Sequence, residues 1–215
     1  MRIDVWSDVV CPWCYVGKRR FERALAGFED RAAVEVVHRS FQLDPSRPKG
    51  HTQNRREMLM AKYGLSVAQV ETLDARMEQT AAAEGLEYHL REDGVTGNTF
   101  DAHRLLQLAG ARGRQDAAVE RFYHAYFSEG RSIFEPEALT ALAVDAGLSE
   151  AEVREVLAGE AYADAVAADM REARTLGVNG VPFFVIDHRF GVSGAQPSDV
   201  FEQMLARARS QRAAS

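Results

Sequence analysis

Strand-forming patterns lie at the two ends of this 215-residue chain, and a long run of helix-forming segments, with a more extended stretch at residues 86–97, separates them. Residues 2–9 and 33–41 are rich in β-branched and aromatic side chains. Residues 183–187 and 189–194 show the same enrichment near the other end, and all four segments are typical of strands. Neither end has enough strands to enclose a hydrophobic core alone. The two ends must therefore share one sheet.

The pattern predicts an α/β fold with one large insertion. The sheet domain consists of residues 1–44 and 161–215, and residues 45–160 form an all-helical insertion domain between them. The prolines and the glycine of residues 44–51 mark the first boundary as a loop. Within the first part, a strand, a helix from Pro12 to about Phe28 and a second strand form a βαβ unit. Its two strands should be parallel, with a right-handed crossover.

Two cysteines, Cys11 and Cys14, stand three positions apart between the first strand and the first helix. Residues i and i+3 of a first helical turn are about 5–6 Å apart at Cβ, close enough for a disulfide after a small shift. Cys11 takes the N-cap place, where its sulfur can accept backbone N–H groups and senses the positive end of the helix dipole. Both effects favour the thiolate form. Cys14 lies on the buried helix face, so Cys11 is predicted to exchange with a disulfide and Cys14 to resolve the product.

Three other interpretations of this pair are less favoured. A structural disulfide is rare in a cytosolic chain, which is the expected location because Asp4 and Asp8 interrupt any apolar signal-peptide run. A structural zinc site needs four ligands, and no second cysteine pair or suitable histidine pair exists. Free cysteines can also pack by accident as small hydrophobes. The strand–CxxC–helix context favours thiol–disulfide chemistry, with no metal site.

Val181 and Pro182 directly precede the strand at residues 183–187. A proline at the start of a strand is tolerated where no ladder donor is needed. From these residues alone, an ordinary trans proline is favoured, since cis is found in only about 5–6% of X–Pro bonds.

Three segments together resemble a known family. They are DVVCPWCYVGKRRFERAL at residues 8–25, NTFDAHRLL at 98–106 and GVNGVPFFVIDHRFGVSGAQP at 177–197. This combination is similar to the DsbA branch of the thioredoxin superfamily, and in particular to the cytosolic FrnE-like oxidoreductases. The resemblance covers nearly the whole chain. It implies a thioredoxin-like sheet domain with the helical insertion described above.

The resemblance also implies roles for several residues. It implies a cis Pro182 beside the cysteines, and a Val181 backbone that offers an edge to an extended substrate. It places Phe100 and His103 in a cleft opposite the cysteines as a substrate groove, although the residues alone favour a packed or surface histidine. Pro12 and Trp13 would shape the site, with Trp13 partly exposed at its mouth or, alternatively, packed against the helical domain.

The predicted enzyme needs no metal or organic cofactor, because the cysteine pair carries the electrons. Glutathione is a candidate co-substrate, and glutathione or a thioredoxin system is the expected reductant. The client is a protein or peptide thiol or disulfide, or a small molecule. The net charge of −6 argues against binding to nucleic acid. No run of 18 apolar residues is available to cross a membrane, and the expected location is the cytoplasm.

Two alternatives belong to other functional classes. The same branch contains glutathione-dependent 2-hydroxychromene-2-carboxylate isomerases and kappa-class glutathione transferases, and an enzyme of this kind would act on a small aromatic or polyketide substrate. Those enzymes generally carry one serine-type site, so the intact Cys11–Cys14 pair speaks against them. The helical domain could instead hold unfolded peptides in a chaperone-like module. Protection of clients that survives the loss of both cysteines would favour that alternative.

Overall fold

The computed structural model describes residues 1–213. It divides into two compact units. The sheet unit contains residues 1–43 and the described residues from 168 onward, and the helical unit contains residues 44–167.

The sheet unit has four strands and three helical segments in its described part. They are β1 (Arg2–Ser7), α1 (Pro12–Ala26), β2 (Glu35–Ser40), the last part of α8 (Ala163–Thr175), β5 (Phe183–Ile186), β6 (Phe190–Ser193) and α9 (Ser198–Ala213), with a short 3-10 turn at Arg31–Ala33. Each predicted strand and helix of this unit is present, with ends shifted by a few residues.

The strand order is β2-β1-β5-β6. Strands β1 and β2 are parallel, which confirms the predicted βαβ unit, and Ser7 lies opposite Ser40 where both strands end. Strand β5 runs antiparallel to β1, and its first residue, Phe183, lies opposite Trp6. The segments that follow β1 and β2 and the segment that precedes β5 therefore emerge at the same edge of the sheet. We call this the carboxyl edge of β1.

The alternation of side chains along β1 gives the sheet two apolar faces. Ile3 and Val5 belong to a cluster that includes Phe21 of α1 and Phe201 of α9. Trp6 belongs to the opposite cluster, and its indole Nε1 donates to the Asp169 carbonyl of α8 at 3.1 Å. Helices α1 and α9 thus cover one face of β1, and α8 covers the other.

The helical unit contains, within residues 44–167, six complete helices and a short two-stranded ribbon. They are β3 (Thr52–Asn54), α2 (Arg55–Tyr63), α3 (Val67–Ala83), β4 (Val95–Gly97), α4 (Phe100–Ala111), α5 (Gln115–Phe127), α6 (Pro136–Asp145) and α7 (Glu150–Ala158), and α8 begins here. The ribbon pairs Thr52 with Gly97 and corrects the expectation of an all-helical insertion. A Cβ on Gly97 would lie 2.7 Å from the Phe134 ring, so glycine allows the ribbon to pack there.

The second boundary lies later than the sequence pattern suggests. The helical unit extends to residue 167, whereas the predicted insertion ends at 160. Arg104 attaches the first of these residues to the helical unit, because its Nε donates to the Ala161 carbonyl at 2.8 Å. None of the helices in the described part of the chain has the length and apolar content needed to span a bilayer.

Candidate active site

Cys11 lies in the tight turn between β1 and α1. Its N–H donates to the Asp8 carbonyl at 3.0 Å, and its own carbonyl accepts from the Cys14 N–H at 3.0 Å. Cys11 is the N-cap residue, with extended backbone angles, and Pro12 occupies the first turn of the helix. Proline fits there because the first helical N–H groups have no partner within the helix. The sequence Cys11-Pro12-Trp13-Cys14 thus begins α1 as predicted.

The sulfur of Cys11 does not cap the helix, contrary to the sequence-based expectation. The Cys14 N–H is already bonded to the Cys11 carbonyl, so the expected partner of the sulfur is occupied. The Cys11 thiol instead donates to the Val181 carbonyl, with 3.5 Å between Sγ and O. This contact brings together the cysteine turn and the segment before β5.

The two cysteines are free thiols whose side chains hydrogen bond to each other. Both are nearly inaccessible to solvent, with exposed fractions of 5% for Cys11 and 2% for Cys14. Burial raises the pKa of the Cys14 thiol well above its ordinary value. The hydrogen bond with Cys11 acts in the same direction, as does the negative charge that Cys11 carries as a thiolate. Cys14 therefore stays protonated at neutral pH.

The Val181–Pro182 peptide bond is cis. Pro182 is buried and packs against α1 at Gly17, where a Cβ would lie only 2.9 Å from the Pro182 Cγ. The Pro182 carbonyl accepts from the Gly194 N–H at 2.8 Å, which joins the segment before β5 to the loop after β6. Glycine at position 17 is thus what allows α1, which carries both cysteines, to approach Pro182.

Replacing Gly17 with alanine is expected to destabilise the protein by about 1–3 kcal/mol, because the new Cβ overlaps Pro182 and the helix must shift. Urea unfolding of Gly17→Ala measures the change. Gly180→Ala is the matched control, since a Cβ at Gly180 meets nothing within 4 Å. Equal stabilities of the two variants would contradict a close approach at Gly17.

The DSBA-like thioredoxin domain family matches residues 2–206 of the chain. The chain belongs to this family. A crystal structure of a probable DsbA oxidoreductase from Streptomyces coelicolor is 55% identical, has a TM-score of 0.94, and is matched over 98% of this chain and 90% of that one. The thioredoxin-like fold with its large inserted unit is therefore established for this DSBA-like protein.

Two more distant structures share the fold of this DSBA-like protein. A 2-hydroxychromene-2-carboxylate isomerase has a TM-score of 0.72 at 17% identity, over 99% of this chain and 98% of that one. The cytosolic disulfide reductase DsbM from Pseudomonas aeruginosa, solved with glutathione, has a TM-score of 0.67 at 20% identity, over 97% of this chain and 100% of that one. At these identities the likeness concerns the fold alone.

Trp13 and the two groove candidates lie in different units of this DSBA-like protein. Trp13, between the cysteines in the sheet unit, is 47% exposed. Phe100 and His103 lie on α4 of the helical unit, where the Lys49 ammonium stands 4.6 Å from the Phe100 ring centroid and His103 is buried. Their role in a groove opposite the cysteines stays a prediction.

Sequence reasoning used Asp8 only against a signal peptide and did not assign it to the site. Its side chain is buried, and its Oδ2 accepts from the Leu43 N–H at 2.8 Å, while its carbonyl accepts from the Cys11 N–H. One residue therefore connects the exit of β2 with the cysteine turn, and its charge adds to the raised pKa of Cys14. The sequence did contain a signal for this role, because Asp8 is a charged residue directly after a strand that is mostly buried. Among the described residues, no group of three His, Cys, Asp or Glu side chains could hold a metal ion.

Replacing Asp8 with asparagine is expected to lower the pKa of Cys14, because one negative charge near the buried sulfur is removed while the acceptor for Leu43 is kept. The pH dependence of Cys14 alkylation measures this, with Cys11→Ser as the background so that one thiol reacts. The midpoint should shift to lower pH in the double variant. An unchanged or higher midpoint would show that the Asp8 charge does not reach Cys14.

The raised pKa of Cys14 also predicts the sign of a stability change with pH. The unfolded thiol ionises near pH 8.5, whereas the folded thiol stays protonated to higher pH. Between these values the unfolded state binds fewer protons, so the contribution of Cys14 to stability is complete below about pH 8.5 and is lost as pH rises further.

Proposed function

We propose that this protein is a thiol–disulfide oxidoreductase of the FrnE-like type that uses Cys11 and Cys14 as its redox pair. The single observation that carries the proposal is the pair of hydrogen-bonded thiols at the start of α1, with the Cys11 thiol donating to Val181 beside Pro182. Residues three positions apart at the start of a helix are about 5–6 Å apart at Cβ, so a small shift lets the two sulfurs form one disulfide.

The proposed reaction follows ordinary disulfide exchange. The Cys11 thiolate attacks a client disulfide, a Cys11–client mixed disulfide forms, and the second client sulfur leaves as a thiolate that takes up a proton. Cys14 then loses its proton and attacks Cys11, which releases the reduced client and leaves a Cys11–Cys14 disulfide. Two glutathione molecules reduce that disulfide and become glutathione disulfide. The same steps in reverse oxidise a dithiol client.

The division of labour agrees with the environments of the two thiols. Burial keeps Cys14 protonated, and a protonated thiol is a poor nucleophile. Cys14 is therefore expected to react only after Cys11 has formed a mixed disulfide next to it. Trp13, which stands between them, carries no charge to stabilise a thiolate. We therefore propose a milder oxidant than DsbA, whose potential is about −120 mV.

Cofactor, partner and location are part of the same proposal. No metal or organic cofactor is required, and glutathione or a thioredoxin system would supply the reductant for a protein, peptide or small-molecule client. A relative with the same fold, DsbM, is a cytosolic disulfide reductase solved with glutathione. By analogy we propose a cytoplasmic location, where glutathione keeps thiols reduced.

The proposal is tested by equilibrating the protein with mixtures of reduced and oxidised glutathione. Mass spectrometry after alkylation should show a two-electron change from two free thiols to one internal disulfide, and the protein should reduce insulin or reshuffle scrambled ribonuclease. A midpoint near −120 mV would contradict the milder oxidant. Conjugation or isomerisation with glutathione, without any disulfide exchange, would favour the isomerase or transferase alternative.

A further inference from the structure

The loop between β6 and α9 is attached on two sides. On one side, the Gly194 N–H donates to the Pro182 carbonyl at 2.8 Å. On the other side, the Arg20 guanidinium of α1 donates through Nη1 to the Ala195 carbonyl at 2.7 Å. Ala195 also lies close to α1, since its Cα and Cβ would be 3.4 Å from a Cβ at Gly17. The loop therefore joins the segment before β5 to the helix that carries both cysteines.

These bonds complete a ring of contacts that begins and ends on α1. At the start of the helix, the Cys11 thiol donates to the Val181 carbonyl, with 3.5 Å between Sγ and O. Val181 is covalently joined to Pro182, which accepts from the loop at Gly194. Arg20 then binds the loop to the same helix. The position of the Val181 carbonyl beside Cys11 therefore depends on how firmly α1 holds the loop.

The backbone at position 20 binds the end of the same loop. Ser198 is the first residue of α9, and its hydroxyl donates to the Arg20 carbonyl at 3.0 Å. The Arg20 side chain is half-buried, and a hydrogen bond from a charged donor is stronger than one between neutral groups. Of these two bonds, the one from the guanidinium is thus expected to hold the loop more firmly.

The bond between Cys11 and Val181 can exist in only one of the two redox states. A thiol has a proton to donate, whereas a sulfur in a disulfide has none. A carbonyl held beside Cys11 therefore stabilises the dithiol form of the protein relative to the disulfide form. A contact that keeps the carbonyl there makes the protein a stronger oxidant, because it favours the form that the protein takes after it has oxidised a client.

We propose that Arg20 is a positioning residue for the redox pair: by binding the loop at Ala195, it keeps the Val181 carbonyl beside the Cys11 thiol and favours the dithiol form. This inference rests on the proposed oxidoreductase function. Arg20 acts through the carbonyl that it binds and not through its charge, which Arg19 on the same turn of α1 also carries.

The experiment measures the equilibrium in which one oxidised glutathione converts the dithiol into the disulfide and leaves as two reduced glutathione molecules. It is done at about pH 6, below the usual ionisation of a thiol at about pH 8.5. In Arg20→Met we expect the disulfide form to gain about threefold, a small effect for one hydrogen bond because a thiol is a weak donor. A side chain that only stabilised the fold would act equally on both forms and leave this equilibrium unchanged.

Arg19→Met is the matched control. The Arg19 guanidinium donates to Glu22 and Tyr15 of the same helix. This variant removes the same charge and keeps the Arg20 bond, so its equilibrium should match that of the unmodified protein. Arg20→Lys keeps a charged donor and should shift the equilibrium less than Arg20→Met does. Ser198→Ala removes only the second bond and should shift it in the same direction by a smaller amount.

The outcomes separate the inference from the function on which it rests. If Arg20→Met matches Arg19→Met or Arg20→Lys, or if the dithiol form gains, the inference is wrong and the redox function stands. Thermal unfolding shows whether each variant is folded. If Arg20→Met is not, Ser198→Ala decides, and an unchanged equilibrium in that variant overturns the inference. If the unmodified protein forms no Cys11–Cys14 disulfide with oxidised glutathione, the proposed function itself fails.

Discussion

Replacing Cys11 with serine is expected to reduce thiol–disulfide turnover by at least about 1,000-fold, because the hydroxyl cannot form or accept a mixed disulfide. The protein should still fold, since the Asp8 and Cys14 bonds to position 11 are made by its backbone. Insulin reduction with glutathione as the reductant measures the loss.

The variant Cys14→Ser tests the role of the second thiol. It keeps the thiol that we propose to attack and removes the one that we propose to resolve, so the first exchange step should proceed and the Cys11–client disulfide should accumulate. Mass spectrometry detects this adduct directly. Full turnover by Cys11→Ser, or an adduct on Cys14 in the unmodified protein, would reverse the assigned roles.

Replacing Arg104 with methionine is expected to destabilise the helical unit by about 2–4 kcal/mol. The guanidinium is fully buried, and it donates to the carbonyls of Val156, Gly159 and Ala161 and to the Asp101 carboxylate. Methionine fills much of the volume but leaves these carbonyls without their donor. Asp101 keeps an ion pair with Lys49 at 3.1 Å, so the cost comes mainly from the carbonyl groups.

Urea unfolding and amide hydrogen exchange of α4 and α7 measure the effect. The matched control is Arg154→Met, because Arg154 is 60% exposed and pairs with Glu150 one helical turn away. Such a surface pair contributes less than about 1 kcal/mol. If both variants lose the same stability, the buried guanidinium of Arg104 does not stabilise the helical unit more than an exposed ion pair does.

The features that sequence reasoning recovered in the sheet unit are local. The alternation in residues 2–9 and 33–41, the proline at N1 of α1 and the spacing of Cys11 and Cys14 depend on neighbours within a few positions. The same holds for the strand after Pro182. Binary patterning and the preference of proline for the first helical position act over such distances, so the parallel pair β1–β2 and the cysteine turn could be predicted.

The features that were missed join positions far apart in the chain. The ribbon pairs Thr52 with Gly97 over only three residues per strand, too short to show a period of two. The bond from Leu43 to Asp8 links residues 35 positions apart. Arg104 resembles any other polar residue of a helix until the carbonyl groups that surround it are known.

The sequence by itself determined where the two thiols lie, at the junction of a strand and a helix, because strand alternation and the proline at the first helical position are short-range features. Only the tertiary structure decided what surrounds them. It turned the Cys11 thiol toward Val181 instead of the helix N–H groups, and it placed Asp8 near Cys14. The physical reason is that desolvation, charge and exposure depend on every group nearby in space, and chain folding brings those groups together from both ends of the sequence.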